Sequence, residues 1–172
     1  MTIQQFCLFS AFYLIVFGVA ITLTRPSSRR LAGAIAGAFA AGAAGTSVVA
    51  IGERAGWWHF IINWEGYSWM STGLGLAISL AFVFLLTWRI ARRYAGRGLA
   101  IALLLAALVG PFRDSAFMAA FPEWGYYAPG ITPMLAISAA YVIMGVVGHG
   151  LMRLIVGPST NDPLTQWLWK HT

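Results

Sequence analysis

Charge is what this sequence has least of. Of 172 residues only five are acidic and eleven are lysine or arginine, so charged residues make up 9% of the chain, against roughly a quarter in an ordinary soluble domain. Apolar residues fill the gap at 59%, and the mean hydropathy of +0.75 argues against a water-soluble globule. Cysteine is nearly absent: Cys7 stands alone, which leaves no internal disulfide and reads as a small core residue. Lysine is represented by Lys170 alone, near the end of the chain, so a retinal Schiff base within a membrane span has no candidate. Neither HExxH nor CxxC occurs, and His59 and Glu65, six residues apart, do not share a helix face, so no metal motif is present. A carboxylate-bound cation and a non-covalent pigment both stay open, and the cofactor is left unknown.

What is abundant is long apolar runs. A hydrocarbon core about 30 Å thick takes about 20 residues of helix, and five stretches meet that length: 6–24, 31–51, 67–88, 98–121 and 131–156. The expected fold is therefore an all-α polytopic membrane bundle of five helices, a single transmembrane domain over 1–172 with a cytoplasmic tail at 157–172. The first run has no basic segment before it and no A-x-A site after it, so it reads as a retained span. The fourth reaches its length only if it continues past Pro111, carrying Arg113 and Asp114 on a membrane helix.

The few charges are sorted by side. Arg25, Arg29 and Arg30 fall between the first two runs, Arg89, Arg92, Arg93 and Arg97 between the third and fourth, and Arg153 and Lys170 at the end. Only Arg54 and Arg113 fall on the other side, which places the amino terminus outside and the carboxyl terminus in the cytoplasm of a multi-pass cell-membrane protein. Four of the five acids, Glu53, Glu65, Asp114 and Glu123, fall outside. The basic clusters are juxtamembrane and suit anionic lipid headgroups. No nucleic-acid-binding signature accompanies them, so membrane lipids are the expected partners and nucleic acid is not.

Two outer loops concentrate the chemistry. GERAGWWHFIINWEGY (52–67) holds Glu53, Trp57, Trp58, His59, Trp64 and Glu65, and 110–133 holds Arg113, Asp114, Glu123, Trp124, Tyr126 and Tyr127 among four prolines. Indole and phenol rings are enriched at headgroup depth, and prolines predict a shaped, partly re-entrant second loop folded against the first. Ionisable groups at a bilayer edge are costly and usually partnered. One reading is a converging pocket: Asp114, Glu65, Glu53 and Glu123 as candidate acid–base residues, and Trp57, Trp58, His59, Trp64, Arg113, Trp124, Tyr126 and Tyr127 as its binding walls. Such a pocket would perform acid–base chemistry on a lipid or isoprenoid, with Asp114 and Glu65 foremost. The other reading is loop salt bridges beside an aromatic belt, in a non-catalytic subunit or a lipid- or pigment-binding component of a larger complex.

Packing signals are plainer. Gly33, Gly37, Ala41 and Gly45 recur every four residues on the second span, a small-residue stripe that admits a close helix neighbour from this chain or from a homo- or hetero-oligomer partner. His149 lies about 27 Å along the last span at 1.5 Å per residue, too deep to share a haem iron with His59. One turn before Arg153, it faces the same side near the cytoplasmic surface, placed either for a headgroup contact or for simple snorkelling. In the tail, Asp162 and Pro163 predict a helix start, with Trp167 and Trp169 as inner-surface anchors.

Overall fold

The computed structural model describes residues 1–158; the expected tail helix, with Asp162, Pro163, Trp167 and Trp169, lies outside the described residues. The architecture is all-α: α1 (Ile3–Thr24), α2 (Ser28–Arg54), α3 (Trp69–Ala120) and α4 (Ile131–Val156), with two three-residue strands, β1 (Trp58–Phe60) and β2 (Gly125–Tyr127). All four helices are long and apolar enough to cross a membrane.

Helix ends follow local chemistry. Thr2 and Gln5 form a reciprocal capping box at the start of α1, and Arg25 ends it in the left-handed region, at φ 43°, immediately before Pro26. Ser27 then caps α2 by accepting from the backbone N–H of Arg30, so a three-residue connection reverses the chain.

The 52 residues of α3 would make a straight rod of about 78 Å. They do not, because Ala95 (φ 51°, ψ −147°) is non-helical. Thr72 and Leu76 from the beginning of α3 line the same cavity as Asp114 and Phe117 from its end, so the two arms double back on each other at Ala95. The expected third and fourth runs are these arms, joined by a break of a single residue. Gly98 permits the tight return, since a Cβ there would meet the Ile90 carbonyl oxygen at 3.1 Å.

The small-residue helix α2 sits between α3 and α4. A Cβ on Gly37 would lie 2.6 Å from the Gly148 carbonyl oxygen, and one on Gly42 2.5 Å from that of Gly73. Backbones at this separation maximise dispersion contacts, the main cohesive term between helices in lipid. Gly33, Gly37, Ala41 and Gly45 are all buried. Of the two neighbours the stripe admits, one from this chain and one from a partner, the structure places helices of the same chain against it. The core continues through Phe84, Leu85, Trp88 and Met152. By contrast α1 is peripheral, with Ala20 its one buried residue and Leu8, Ile15 and Leu23 each more than two-thirds exposed. Cys7 is exposed on this helix, which corrects its reading as a core residue: α1 packs too lightly to bury it.

The prolines of the second loop do less than expected. Pro111 lies inside α3 and is buried, and the helix runs on to Ala120 before a short 3-10 turn at Pro122–Trp124. A proline at 111 deprives the Ala107 carbonyl of its helical donor, and the Ser138 hydroxyl of α4 supplies one at 2.7 Å. The partly re-entrant segment expected here is therefore mostly regular helix.

Candidate functional site

At the end of the bundle away from the arginine-rich connections, β1 and β2 pair antiparallel, Trp58 with Tyr127, His59 with Tyr126 and Phe60 with Gly125. The ladder is extended by Ala128 N–H to the Trp57 carbonyl and Ile61 N–H to the Trp124 carbonyl, both 2.9 Å. Gly125 is required: at φ 150° its Cβ would fall 2.3 Å from the His59 carbonyl oxygen. Trp58 fastens this roof to α2, its indole N–H donating to the Val49 carbonyl at 2.9 Å and its ring lying across Gly52, where a Cβ would come within 1.9 Å. The two loops do fold over each other, as a two-stranded sheet.

Beneath the roof is a cavity of about 450 Å³. Its walls are chiefly apolar and aromatic, with Phe6, Phe9 and Tyr13 from α1 and Phe117 from α3 below Trp58 and Trp124. Phe9, Phe117 and Trp124 form an edge-on cluster, with centroids 4.8 Å apart for Phe9–Trp124 and 5.3 Å for Phe117–Trp124.

One polar group of the wall is highly organised. Arg113 donates to Asp114 Oδ1 from Nε at 2.9 Å and from Nη2 at 2.6 Å. The Tyr141 hydroxyl donates to Asp114 Oδ2 at 2.8 Å and itself accepts a short hydrogen bond from Arg113. Arginine, aspartate and tyrosine thus close a ring of hydrogen bonds in which both carboxylate oxygens accept. In that geometry Asp114 is a hydrogen-bond acceptor at both oxygens. The Tyr127 hydroxyl, also in the cavity wall, has no hydrogen bond among the described residues. Burial first, and the nearby Asp114 charge second, push its phenol well above the ordinary tyrosine range. It is a neutral donor facing the space.

The remaining expected residues are placed elsewhere. Glu53 accepts from the Phe60 N–H at 3.2 Å and pairs with His59 Nδ1 at 2.6 Å, which pins β1 to the end of α2. Glu65 and Glu123 are exposed and do not line the cavity. Trp57 packs edge-on to Trp58 and Trp64 tilts against Phe6, while Tyr126 lies against His59 and is exposed. The acids share one end of the molecule but do not converge: of the four, Asp114 alone reaches the cavity. Among the described residues no three His, Cys, Asp or Glu side chains gather as a metal site. Tyr141 is the participant that sequence reasoning missed. The signal was available, because an arginine and an aspartate on a membrane helix call for a polar partner on a neighbouring helix, and Tyr141 is the one tyrosine of α4.

Comparison of the chain with protein-family models, curated proteins and solved structures returns no significant match. The class that the fold defines is a helical bundle of membrane-spanning character, and the reading of its cavity rests on geometry.

Proposed function

We propose that the chain is a five-span cell-membrane protein, amino terminus outside, whose outer-end cavity takes the apolar body of a lipid or isoprenoid and presents a polar group of it to Asp114 for acid–base chemistry. The arms of α3 count as two spans, and the distribution of arginines sets the orientation. The observation that carries the functional reading is the hydrogen-bonded ring of Arg113, Asp114 and Tyr141 set into a wall that is otherwise largely apolar and aromatic. An ion pair is expensive at this depth, and a purely structural helix contact would be served by apolar side chains.

In this reading Asp114 accepts a proton from the bound molecule, Arg113 holds the carboxylate in place, and Tyr127 donates a hydrogen bond to the oxygen or π-system that gains electron density. Phe9, Phe117 and Trp124 hold the chain of the ligand and offer ring faces to any cationic character. A second reading, a non-catalytic lipid- or pigment-binding component, is favoured by one observation: both oxygens of Asp114 are already satisfied within the protein.

Mass spectrometry of lipids retained by the protein purified from its own membranes tests both. Catalysis predicts that wild type and Asp114→Asn carry chemically different species, with substrate enriched on the variant. Binding alone predicts the same species on both, in different amounts. An absence of any retained elongated molecule on wild type would remove both readings.

A further inference from the structure

A second cavity, of about 180 Å³, lies at the opposite end of the bundle, against the break in α3. Its lining includes Trp88 from the first arm, Ala95, Gly96 and Leu99 from the break and the start of the second arm, and His149 and Arg153 from α4. Trp88 is 3% exposed and His149 6%. Each has a ring nitrogen, Trp88 Nε1 and His149 Nδ1, that is inaccessible to solvent and without a hydrogen-bond partner. Buried polar atoms are nearly always paired, because one that is not keeps its full desolvation cost. Two on stacked rings, with centroids 6.4 Å apart and planes within 10°, mark a place made for something else.

The donors and acceptors specify what that is. Indole Nε1–H can only donate. Thr87 gives its hydroxyl proton to the Val83 carbonyl at 2.7 Å, so at 2.8 Å from His149 Nε2 it accepts, which leaves Nδ1 of the neutral ring as an acceptor. Arg153 is exposed, and its guanidinium makes no hydrogen bond or ion pair among the described residues. The non-helical Ala95 and the adjoining Gly96 border the same space. One face thus offers donors and positive charge, and one atom asks for a hydroxyl.

We infer that this cavity is a binding site for a phosphoryl oxyanion that carries a neighbouring hydroxyl, as a phosphoglycerol headgroup or hydrogenphosphate does. The oxyanion bonds to Trp88 Nε1–H and the Arg153 guanidinium, and the hydroxyl donates to His149 Nδ1. The site is separate from the aromatic cavity and does not depend on its function.

The indole N–H resonance of Trp88 reports on the site directly. In the full-length protein in neutral detergent, that cross-peak is identified by its loss in Trp88→Phe and followed during titration with phosphatidylglycerol, phosphatidylcholine and inorganic phosphate. A saturable shift with phosphatidylglycerol alone assigns a lipid headgroup, and a shift with inorganic phosphate as well assigns the free anion. In either case Arg153→Gln weakens binding about tenfold, the loss expected for one charge-assisted hydrogen bond, while the other indole resonances keep their positions. No shift with phosphatidylglycerol or inorganic phosphate, or equal binding by Arg153→Gln, overturns the assignment.

Discussion

The Ser138 hydroxyl donates to the Ala107 carbonyl, the acceptor that Pro111 leaves without its helical partner. This contact explains how a proline persists inside a helix that must carry Arg113 and Asp114 to the cavity. In lipid no water is present to take the donor's place. Ser138→Ala should therefore lower stability by about 1–3 kcal/mol, the cost of an orphaned buried carbonyl. Pro111→Ala restores the backbone donor, so the same serine substitution in that background should cost clearly less. Thermal unfolding of the four proteins in one detergent gives the coupling, and simple additivity would show that Ser138 does not serve Pro111.

Glycines on α2 and their counterparts elsewhere provide a contrast. Gly37→Ala drives a methyl group toward the Gly148 backbone oxygen, which cannot rotate away, and should destabilise by about 1–3 kcal/mol through overpacking. Gly150→Ala, with nothing within 4 Å of its Cβ, should be neutral or slightly stabilising because alanine favours helix. If the two variants melt together, the close crossing of α2 and α4 is not a source of stability.

Gly52 couples the roof to the bundle. Gly52→Ala places a methyl group where the Trp58 ring lies, so the indole must leave, and its bond to the Val49 carbonyl goes with it. The β1–β2 pairing should then loosen. Amide exchange of Ala128 and Ile61, whose N–H groups bond across the two loops, should accelerate at least tenfold while helical amides of α2 near Gly37 remain protected. Unchanged exchange at both would mean that the strands hold without Trp58.

Much of this architecture was legible in order along the chain. Apolar runs located the helices, Arg25-Pro26 marked the first stop, and glycine periodicity identified α2 as the helix that others pack against. Those signals are local, and lipid solvent makes them strong. The reach of α3 through Pro111 was legible in length but not in mechanism, because the compensating hydroxyl is on another helix. The cavity was half legible. Trp58, Trp124, Tyr127, Arg113 and Asp114 were found by type and position, whereas Glu65 and Glu123 entered only because acids are rare, and rarity does not specify direction. The pairing of Trp58 with Tyr127 has a separation of 69 residues, and three-residue strands have too little alternation to announce themselves.

Tyr127 gives a pH dependence with a definite sign. Its phenol is neutral when protonated and its folded-state value lies above the ordinary one near 10. The unfolded chain therefore loses this proton first, so the stabilisation is complete below about pH 10 and declines as pH rises beyond it. Relative to Tyr127→Phe, the wild-type protein should lose stability between about pH 10 and higher values, and the phenolate absorbance removed by the substitution should be missing at pH 10. A wild-type protein with an additional phenolate at pH 10, absent from Tyr127→Phe, would show that the phenol is open to water.

The ring of Arg113, Asp114 and Tyr141 yields the sharpest separation between a site and a strut. Tyr141→Phe removes the donor to Oδ2 and the acceptor for Arg113 but keeps the aromatic ring, so Arg113 and Asp114 remain paired. As a strut, the ring should register this loss in melting temperature, with Asp114→Asn and Tyr141→Phe non-additive because they share one hydrogen bond. As a wall that binds without turning the ligand over, it should register the loss in the retained ligand: freeing Oδ2 gives Asp114 an open acceptor, so a hydroxyl-bearing ligand should be held at least as well by Tyr141→Phe and less well by Asp114→Asn. Lipid extraction and thermal melts on the same three preparations distinguish the cases. Ligand content that follows stability in both variants would assign the ring to holding α3 against α4 and nothing more.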